Sequence, residues 1–324
     1  MQEIRFFSAI SGILLSYPPY RRQLRQLSAF DIQTIMDGIR YYKMNGAGNE
    51  IVMLDLRDTP VGVTPEAARA IAAGSASFFD QLMVLLPPKT AGTAAFVEIW
   101  NNDGSRSGAC GNGTRCIAAM EFDRTGTDAV IFETEAGLLQ TWRAGATVSV
   151  DMGVPKFGWA DIPLAQPMDD TNAVALDYQG HGVRLSNPAV VNMGNPHAVF
   201  WVDDPQLYDL SRIGPELEHH ALFPEKANIS LAQLLSPAEI RLRVWERGAG
   251  ETRACGSAAC AVAVSAARSG RTGRDVRVHL PGGELHLVWR DDDHVVMTGP
   301  WELEHSGILP VTLFDASDRA ADVA

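Results

Sequence analysis

The sequence has few cysteines, few lysines and no long hydrophobic run. Only four of its 324 residues are cysteine, with neither a disulfide framework nor a C-x-x-C pair, which favours the reducing cytoplasm. No apolar run is long enough to cross a bilayer, so a membrane protein is not expected. Acidic residues outnumber basic ones, 39 to 27, for a net charge of -12. This balance argues against nucleic acid or an anionic membrane as a partner.

A glycine-rich stretch with a cysteine stands between a strand pattern and a helix pattern. Residues 240–245 alternate apolar and polar side chains as a strand does, and residues 259–267 form an apolar run typical of a buried helix. Between them, Glu246 and Arg247 precede a glycine-rich turn and Cys255. Cys255 is therefore expected at a helix N-terminus, where unpaired N–H groups and the helix dipole lower the pKa of a thiol. The pattern predicts a reactive thiolate; the alternative is a buried, inert cysteine.

The first half of the chain carries a second copy of this stretch. Cys110 precedes Cys255 by 145 residues, and the tryptophan ten residues before each cysteine repeats at the same interval. A Gly-Asn pair ends at Asn49 and again at Asn195, 61 and 60 residues before the respective cysteines. Because several sequence features repeat at nearly the same interval, they indicate an ancient duplication. The chain is therefore interpreted as two homologous halves.

The duplication predicts an α+β fold of two pseudo-symmetric half-barrel domains with the active site in the cleft between them. In each half a conspicuously apolar helix must be buried, so a mostly antiparallel sheet is expected to curl around it. Both helix N-termini should point into the cleft. The predicted domains are 39–154, with 300–315 returning to it, and 155–299. Residues 1–38 hold no part of the repeat and are expected to be an extension outside the fold, and 316–324 a tail.

Local patterns predict the individual elements. The predicted strands are 41–44, 50–56, 81–86, 94–100, 130–134, 138–143, 147–152, 190–193, 198–202, 241–245, 276–280, 284–289 and 295–298. Helices are expected after Thr64, after each of the two motif cysteines, and within 205–221. Residues 154–186 are rich in Pro, Asp and Gly, and are expected to join the halves.

Two thiols that approach one cleft from pseudo-symmetric halves can lie on opposite faces of a single bound carbon. One, as thiolate, can remove a proton, and the other, as thiol, can return a proton from the far side, which inverts the carbon. Two helix N-termini that converge on the neighbouring carboxylate would stabilise the carbanion.

Pyridoxal phosphate is the usual alternative electron sink, and it needs a Schiff-base lysine. The four lysines are all distant in sequence from the cysteine motifs: Lys43, Lys89, Lys156 and Lys226. We therefore expect no cofactor. The spacing within the two cysteine motifs also fits a zinc site poorly, so no metal is expected, and Cys116 and Cys260 are expected to pack inside helices.

Four motifs, two in each half, are the most specific features of the chain. They are Lys43-Met-Asn-Gly-Ala-Gly-Asn49, Ala109-Cys-Gly-Asn-Gly-Thr-Arg-Cys116, Met193-Gly-Asn-Pro-His197 and Glu246-Arg-Gly-Ala-Gly-Glu-Thr252. With them the sequence resembles the diaminopimelate epimerase family over about residues 42–300. The resemblance implies a cofactor-independent isomerase that interconverts LL- and meso-diaminopimelate for lysine and peptidoglycan precursor synthesis. It implies a small-molecule substrate and a cytoplasmic enzyme, and it is compatible with a homodimer.

The resemblance also implies a role for individual residues. Cys110 and Cys255 are the expected catalytic pair. The side chains expected to hold the substrate belong to Asn49, Gln81, Asn101, Asn195, Asn228, Glu246 and Arg247. The backbone donors expected to meet the reacting carboxylate belong to Gly111, Asn112, Gly256 and Ser257.

Alternatives remain open at this stage. Asn49 and Asn195 suit glycine turns without any further role, Glu246 and Arg247 suit a solvated pair, and His197 suits a structural turn. A proline or hydroxyproline racemase with a cysteine pair is the closest competing function, and a thiol redox or metal-binding protein is a more distant one. The asymmetry between the halves favours a substrate with a second polar group, because a bare proline ring would leave those polar side chains unpaired.

Overall fold

The computed structural model describes residues 38–316, so the predictions for residues 1–37 and 317–324 lie outside the described residues. The elements of the first half are, in chain order, β1 (Ile39–Gly46), β2 (Asn49–Asp55), β3 (Val61–Gly62), α1 (Pro65–Ala72), β4 (Gln81–Leu86), β5 (Ala95–Asn101), β6 (Arg106–Ser107), α2 (Gly111–Thr125), β7 (Ala129–Thr134), β8 (Gly137–Ala144) and β9 (Thr147–Asp151).

The rest of the described chain repeats this order and adds to it. Its elements are β10 (Asp177–Gly180), β11 (Val183–Ser186), β12 (Ala189–Asn192), β13 (Pro196–Trp201), a 3-10 turn (Pro205–Leu207), α3 (Leu210–Glu218), β14 (Asn228–Ser236), β15 (Glu239–Glu246), β16 (Gly250–Thr252), α4 (Gly256–Arg268), β17 (Asp275–Leu280), β18 (Gly283–Trp289), β19 (Val295–Gly299), β20 (Glu302–Leu309), a second 3-10 turn (Val311–Leu313) and β21 (Asp315–Ala316). Among these elements no helix is long and apolar enough to pass through a bilayer.

Strand pairing is the same in both halves, as the duplication predicts. β1 and β2 form an antiparallel pair, and so do β12 and β13. β4 lies parallel to β2, as β14 does to β13, and β5 lies parallel to β7, as β15 does to β17. The two halves join through the antiparallel pair β9 and β19. One 17-stranded, mostly antiparallel sheet therefore runs through the molecule.

Each half of the sheet curls around one buried helix. α2 contacts β1, β2, β4, β7, β8 and β9, and α4 contacts β12, β13, β14, β15, β17, β18 and β19. Ten of the 13 residues of α4 are buried, because its small alanine and valine side chains let strands pack on every side. The α+β fold predicted from the apolar helices is confirmed.

A shorter helix covers the outer face of each half. α1 begins as predicted, with Thr64 as N-cap accepting a hydrogen bond from the Ala67 N–H (3.1 Å) and Pro65 as its first residue. Ile71 of α1 and Leu217 of α3 belong to the two outer hydrophobic clusters. The outer helices thus close the second face of each sheet and leave the central helices to build the cleft.

The sequence patterns missed three of the longer strand regions, in addition to the two- and three-residue strands β3, β6, β16 and β21. β14 was not predicted, because its first five residues are all buried and show no alternation. Residues 154–186, expected only to join the halves, contain the hairpin β10–β11, and Leu185 of this hairpin is buried in the outer cluster of the second half. β20 pairs antiparallel with β1, but most of it is exposed, so burial leaves no pattern there.

Candidate active site

Cys110 and Cys255 are the N-cap residues of α2 and α4. The Gly113 N–H donates a hydrogen bond to Cys110 Sγ (3.1 Å), and Cys255 Sγ lies 3.5 Å from Ser257 Oγ. Because the first N–H groups of a helix have no acceptor within it, both helix starts present free backbone donors beside a thiol.

Both helix starts open into one cleft of about 1000 Å³ between the halves. All the residues that the sequence suggested for the site line this cleft: Asn49, Gln81, Asn101, Cys110, Gly111, Asn112, Asn195, Asn228, Glu246, Arg247, Cys255, Gly256 and Ser257. The structure therefore brings the whole set together, and the role of each member stays a prediction.

Met297, which sequence reasoning missed, is buried against the starts of both central helices. A Cβ atom on Gly111 would come within 2.5 Å of Met297 Cε, and one on Gly256 would come within 3.0 Å of Met297 Sδ. One thioether thus packs against both helix starts, and glycine at each start makes room for it. No local signal marks this residue, because it lies on β19, far from either cysteine in sequence.

Burial raises the pKa of both cleft thiols, so the pKa lowering expected from the helix N-termini is wrong. Cys110 and Cys255 are 7% and 4% exposed. Burial raises the pKa of Cys110 to about 11, against the opposing effects of the Gly113 N–H and the Arg115 charge. Burial also raises the pKa of Cys255 well above its ordinary value, and the Glu246 carboxylate raises it further. Glu246 thus raises the pKa of both thiols, and at Cys110 the Arg115 charge acts in the opposite direction.

Arg115, to which sequence reasoning assigned no role, is fully buried on α2. Its Nε donates to the Pro300 carbonyl (3.3 Å) and its Nη1 to Met297 Sδ (3.6 Å), while Nη2 has no hydrogen-bond partner within residues 38–316. Burial lowers the pKa of this guanidinium, and the thiols of Cys116 and Cys110 are the largest influences that favour its charge. A cation in this position stabilises negative charge on a neighbouring thiol.

Glu246 is a cleft carboxyl group rather than half of a solvated pair. It is only partly exposed, and its Oε1 accepts a hydrogen bond from Thr252 Oγ1 (2.5 Å). Burial raises its pKa, and hydrogen bonds from the Cys255 thiol and from Thr252 oppose that rise. Arg247 beside it is exposed, with its Nη1 donating to the Glu225 carbonyl (3.1 Å).

The amide side chains of the second half are held by their neighbours. Asn228 accepts from the Arg247 N–H (2.9 Å) and donates to the Pro196 carbonyl (2.9 Å). His197 Nε2 is hydrogen-bonded to Asn195 Oδ1 (2.8 Å), so the histidine takes the structural place that the sequence suggested.

The amides of the first half are less constrained. Asn49 Oδ1 is buried and has no hydrogen-bond partner in the described part of the chain, while Asn101 Nδ2 donates to Ser105 Oγ (2.9 Å). Asp80 also lines the cleft, and burial raises the pKa of its carboxyl group. This half therefore offers the Asn49 oxygen and the Asp80 carboxyl group, and the second half offers the Arg247 guanidinium beside the Glu246 carboxyl group.

Comparison with known sequences points to one family. The family model described as diaminopimelate epimerase matches residues 41–158 and 189–304. A diaminopimelate epimerase of Rhodopseudomonas palustris (strain BisA53) is 56% identical over 278 residues, which are 85% of this chain and 96% of the relative. A diaminopimelate epimerase of Afipia carboxidovorans is 54% identical over 287 residues, 87% of this chain and 99% of the relative.

Solved structures share the architecture. A predicted epimerase of Pseudomonas aeruginosa has a TM-score of 0.55 at 19% identity and covers 84% of this chain and 99% of its own. A probable proline racemase of Agrobacterium radiobacter has a TM-score of 0.59 at 13% identity, with 84% and 92% covered. At these identities the likeness shows the fold alone, and it agrees with two half-barrel domains around a cleft.

Proposed function

The chain belongs to the diaminopimelate epimerase family, and we propose that it interconverts LL-2,6-diaminopimelate and meso-diaminopimelate by proton transfer between Cys110, the α-carbon and Cys255. The main observation that supports this proposal is that both cysteines cap buried helices whose N-termini open into the same cleft. The enzyme is an isomerase, and its reaction belongs to lysine and peptidoglycan precursor biosynthesis.

Inversion requires one thiolate and one thiol on opposite faces of the α-carbon. The thiolate forms an S–H bond with the α-hydrogen, and the electron pair of the broken C–H bond stays on the carbon and spreads into the carboxylate. The opposite thiol then gives its proton to the other face and becomes the thiolate. The reaction exchanges the protonation states of the two cysteines and consumes no other reactant.

The charges around the two thiols support Cys110 as the thiolate of the resting pair. At Cys110 the Gly113 N–H and the Arg115 charge favour the charged form and outweigh Glu246, which disfavours it. At Cys255 Glu246 is the largest influence after burial, and it disfavours the charged form. A bound substrate adds its α-ammonium group, and a positive charge close to a thiol lowers the pKa that burial has raised. Cys110 would then be the base in one direction, and Cys255 the base in the reverse direction.

The carbanion is the costly species, because an α-hydrogen is a very weak acid. We infer that the backbone N–H groups at the two helix starts stabilise it by donating to its carboxylate: Gly111, Asn112, Gly256 and Ser257. Fixed donors and helix dipoles in a site with little water act strongly on charge that develops during the reaction. The low exposure of both thiols supports such a dry site.

The asymmetry of the cleft supports a substrate with a second charged end. Arg247 would bind the distal carboxylate, with Asn195 and Asn228 beside it. Asn49, Gln81, Asn101 and Glu246 would hold the remaining polar groups. A proline ring has no second carboxylate, so it would leave the guanidinium without an anionic ligand. This contrast favours diaminopimelate over the racemase alternative.

We also propose the domain division and the compartment that the sequence suggested. Residues 39–154 with 300–315 would form one domain and residues 155–299 the other, which is supported by the pairing of β20 with β1. The cytoplasm suits an enzyme whose thiol pair must stay reduced, and all four cysteines are free.

The test is chiral chromatography of LL-diaminopimelate incubated with the purified protein, in parallel with four alanine variants. Cys110→Ala and Cys255→Ala should each reduce turnover by about a thousandfold or more, since removing one proton carrier stops inversion. Cys116→Ala and Cys260→Ala are matched controls, because these thiols are buried in the same two helices. Substantial turnover by either of the first two variants would contradict the proposal.

A further inference from the structure

His197 holds one cleft amide from behind. It lies on β13 and is fully buried, and its Nε2 is 2.8 Å from Asn195 Oδ1. Its other ring nitrogen, Nδ1, is buried without a hydrogen-bond partner in the described part of the chain. The ring therefore has one polar contact, and that contact is a residue that lines the cleft.

The position of the ring proton follows from this single contact. A buried N–H group without an acceptor is rarer and costlier than an unfilled lone pair, so the proton belongs on Nε2 and not on Nδ1. Burial lowers the pKa of His197 to about 3, and the nearby Arg247 charge contributes. The neutral ring thus donates from Nε2 to Asn195 Oδ1 over the whole working pH range.

This donation decides which end of the Asn195 amide faces the cleft. With the oxygen turned toward His197, the amide group presents its N–H donors to a ligand in the cleft. We propose that His197 is a positioning residue that fixes Asn195 as a donor and thereby makes the distal end of the cleft selective for a carboxylate. The inference rests on the proposed function, because it assigns a distal carboxylate to this end of the cleft.

The first half provides the contrast. Asn49 is the counterpart of Asn195, but the residue two positions later is Ile51 and not a histidine. Asn49 Oδ1 accordingly has no hydrogen-bond partner in residues 38–316 and stays available as an acceptor, as an ammonium group requires. The duplicated asparagines therefore serve opposite ligand charges, and a histidine in one half makes the difference.

The distal selectivity can be measured with two substrates that share the reacting end. They are LL-diaminopimelate and its distal monoamide, whose carboxamide replaces only the carboxylate far from the cysteines. In His197→Phe the Asn195 amide can rotate, so the preference for the diacid in kcat/KM should fall by about tenfold or more, mainly through KM. His197→Gln, which retains an N–H donor, should restore a large part of the preference.

A second variant tests the orientation without disturbing the core. Asn195→Asp keeps an oxygen for His197 but presents another oxygen to the cleft, so Tm should hold while the diacid preference falls. If His197→Phe does not fold, the Tm of Asn195→Asp still shows whether His197 donates to the oxygen of Asn195 or accepts from its nitrogen.

Two results would contradict the positioning role of His197, and a third would contradict the proposed function. Equal losses on both substrates in His197→Phe, with no change in preference, would show that the ring only fills the core. A large drop of Tm in Asn195→Asp would show that His197 accepts from the amide nitrogen, and it would overturn the assignment. Absence of diaminopimelate turnover in the wild-type protein would contradict the proposed function instead.

Discussion

Asn112 Nδ2, on the second residue of α2, donates a hydrogen bond to the backbone oxygen of Ala254, which directly precedes Cys255 (3.4 Å). The donor belongs to the first half and the acceptor to the second. Asn112 is only 2% exposed, so this contact is shielded from water. The starts of the two central helices are thus joined directly, and the placement of one thiol depends on the helix that carries the other.

Gly282 provides a second contact between the halves and a test of their coupling. A Cβ atom there would overlap the Ala47 carbonyl oxygen and lie 3.0 Å from that of Arg253. We expect Gly282→Ala to lose about 1–3 kcal/mol of stability, as overpacking does. Activity should fall with it, because Arg253 is close to Cys255. Gly273→Ala is the control, since its Cβ would meet nothing within 4 Å. Equal melting temperatures and activities for the two variants would contradict the close approach.

Arg247→Ala should reduce kcat/KM by at least roughly a hundredfold, or about 2.7 kcal/mol. The change removes the guanidinium that would hold the distal carboxylate, and a misplaced substrate loses its alignment with the thiols. Arg184→Ala is the control, because that side chain is 72% exposed and lies 3.5 Å from Asp177 on the surface. A loss of only about tenfold or less would place Arg247 outside the reach of the substrate.

The thiols should respond differently to pH. In the free enzyme, the alkylation rate of Cys110 by iodoacetamide should rise through about pH 11, and that of Cys255 should rise only well above the ordinary pKa of a thiol. Removing the neighbouring charge in Glu246→Gln should lower the pKa of Cys255 and move its alkylation curve to lower pH. Glu284→Gln, at an exposed hairpin, should leave the curve in place. An unchanged curve in Glu246→Gln would show that this carboxylate does not act on the thiol.

The raised pKa of Cys110 also makes the stability of the folded protein depend on pH. The folded pKa of Cys110 lies above its ordinary value of 9.0, so the folded protein holds the thiol proton more tightly than the unfolded chain does. Its contribution to stability is therefore complete below about pH 9 and is lost as pH rises through about 11.

Mild oxidation should join Cys110 to Cys255 in the absence of substrate. The two thiols face the same cleft, and closure of the cleft would let one sulfur attack the other. Cys116 and Cys260 should not take part, because both are fully buried in their helices and burial raises the pKa of each to about 12. Peptide mapping before and after dithiothreitol, with activity followed in parallel, gives the pairing. A Cys110–Cys116 or Cys255–Cys260 bond would contradict the shared cleft.

Much of the fold could be predicted from the sequence, because the local residue patterns and the internal duplication predict the same elements. The strand Gln81–Leu86 and the cap at Thr64 lie where the alternation and the Thr-Pro pair predicted them. β20 could not be recognised, since its exposed face has no reason to be apolar. The residues of the candidate site followed from the family resemblance that the four motifs carry, and all of them line the cleft.

What the sequence could not supply was the environment created by packing. The thiol pKa expectation failed at Cys110 because the position of a helix terminus is visible in a sequence, but the burial of that terminus is not. Met297 and Arg115 were missed for a related reason. Their contact with each other joins α2 to β19 across 182 positions of the chain, and no local pattern carries such a pairing.

Incorporation of deuterium from the solvent tests proton transfer by two cysteines most directly. LL-diaminopimelate is converted in D2O and quenched at low conversion, and both isomers are examined by chiral separation and mass spectrometry. Because the product takes its proton from a thiol that has exchanged with solvent, each meso molecule should carry one deuterium at the inverted α-carbon. The recovered LL isomer should carry none, because the cysteine that removed the hydrogen holds it and can return only that hydrogen to the same face. A product that retains the original hydrogen, or an LL isomer labelled as fast as the product, would contradict proton transfer between Cys110 and Cys255 across one carbon.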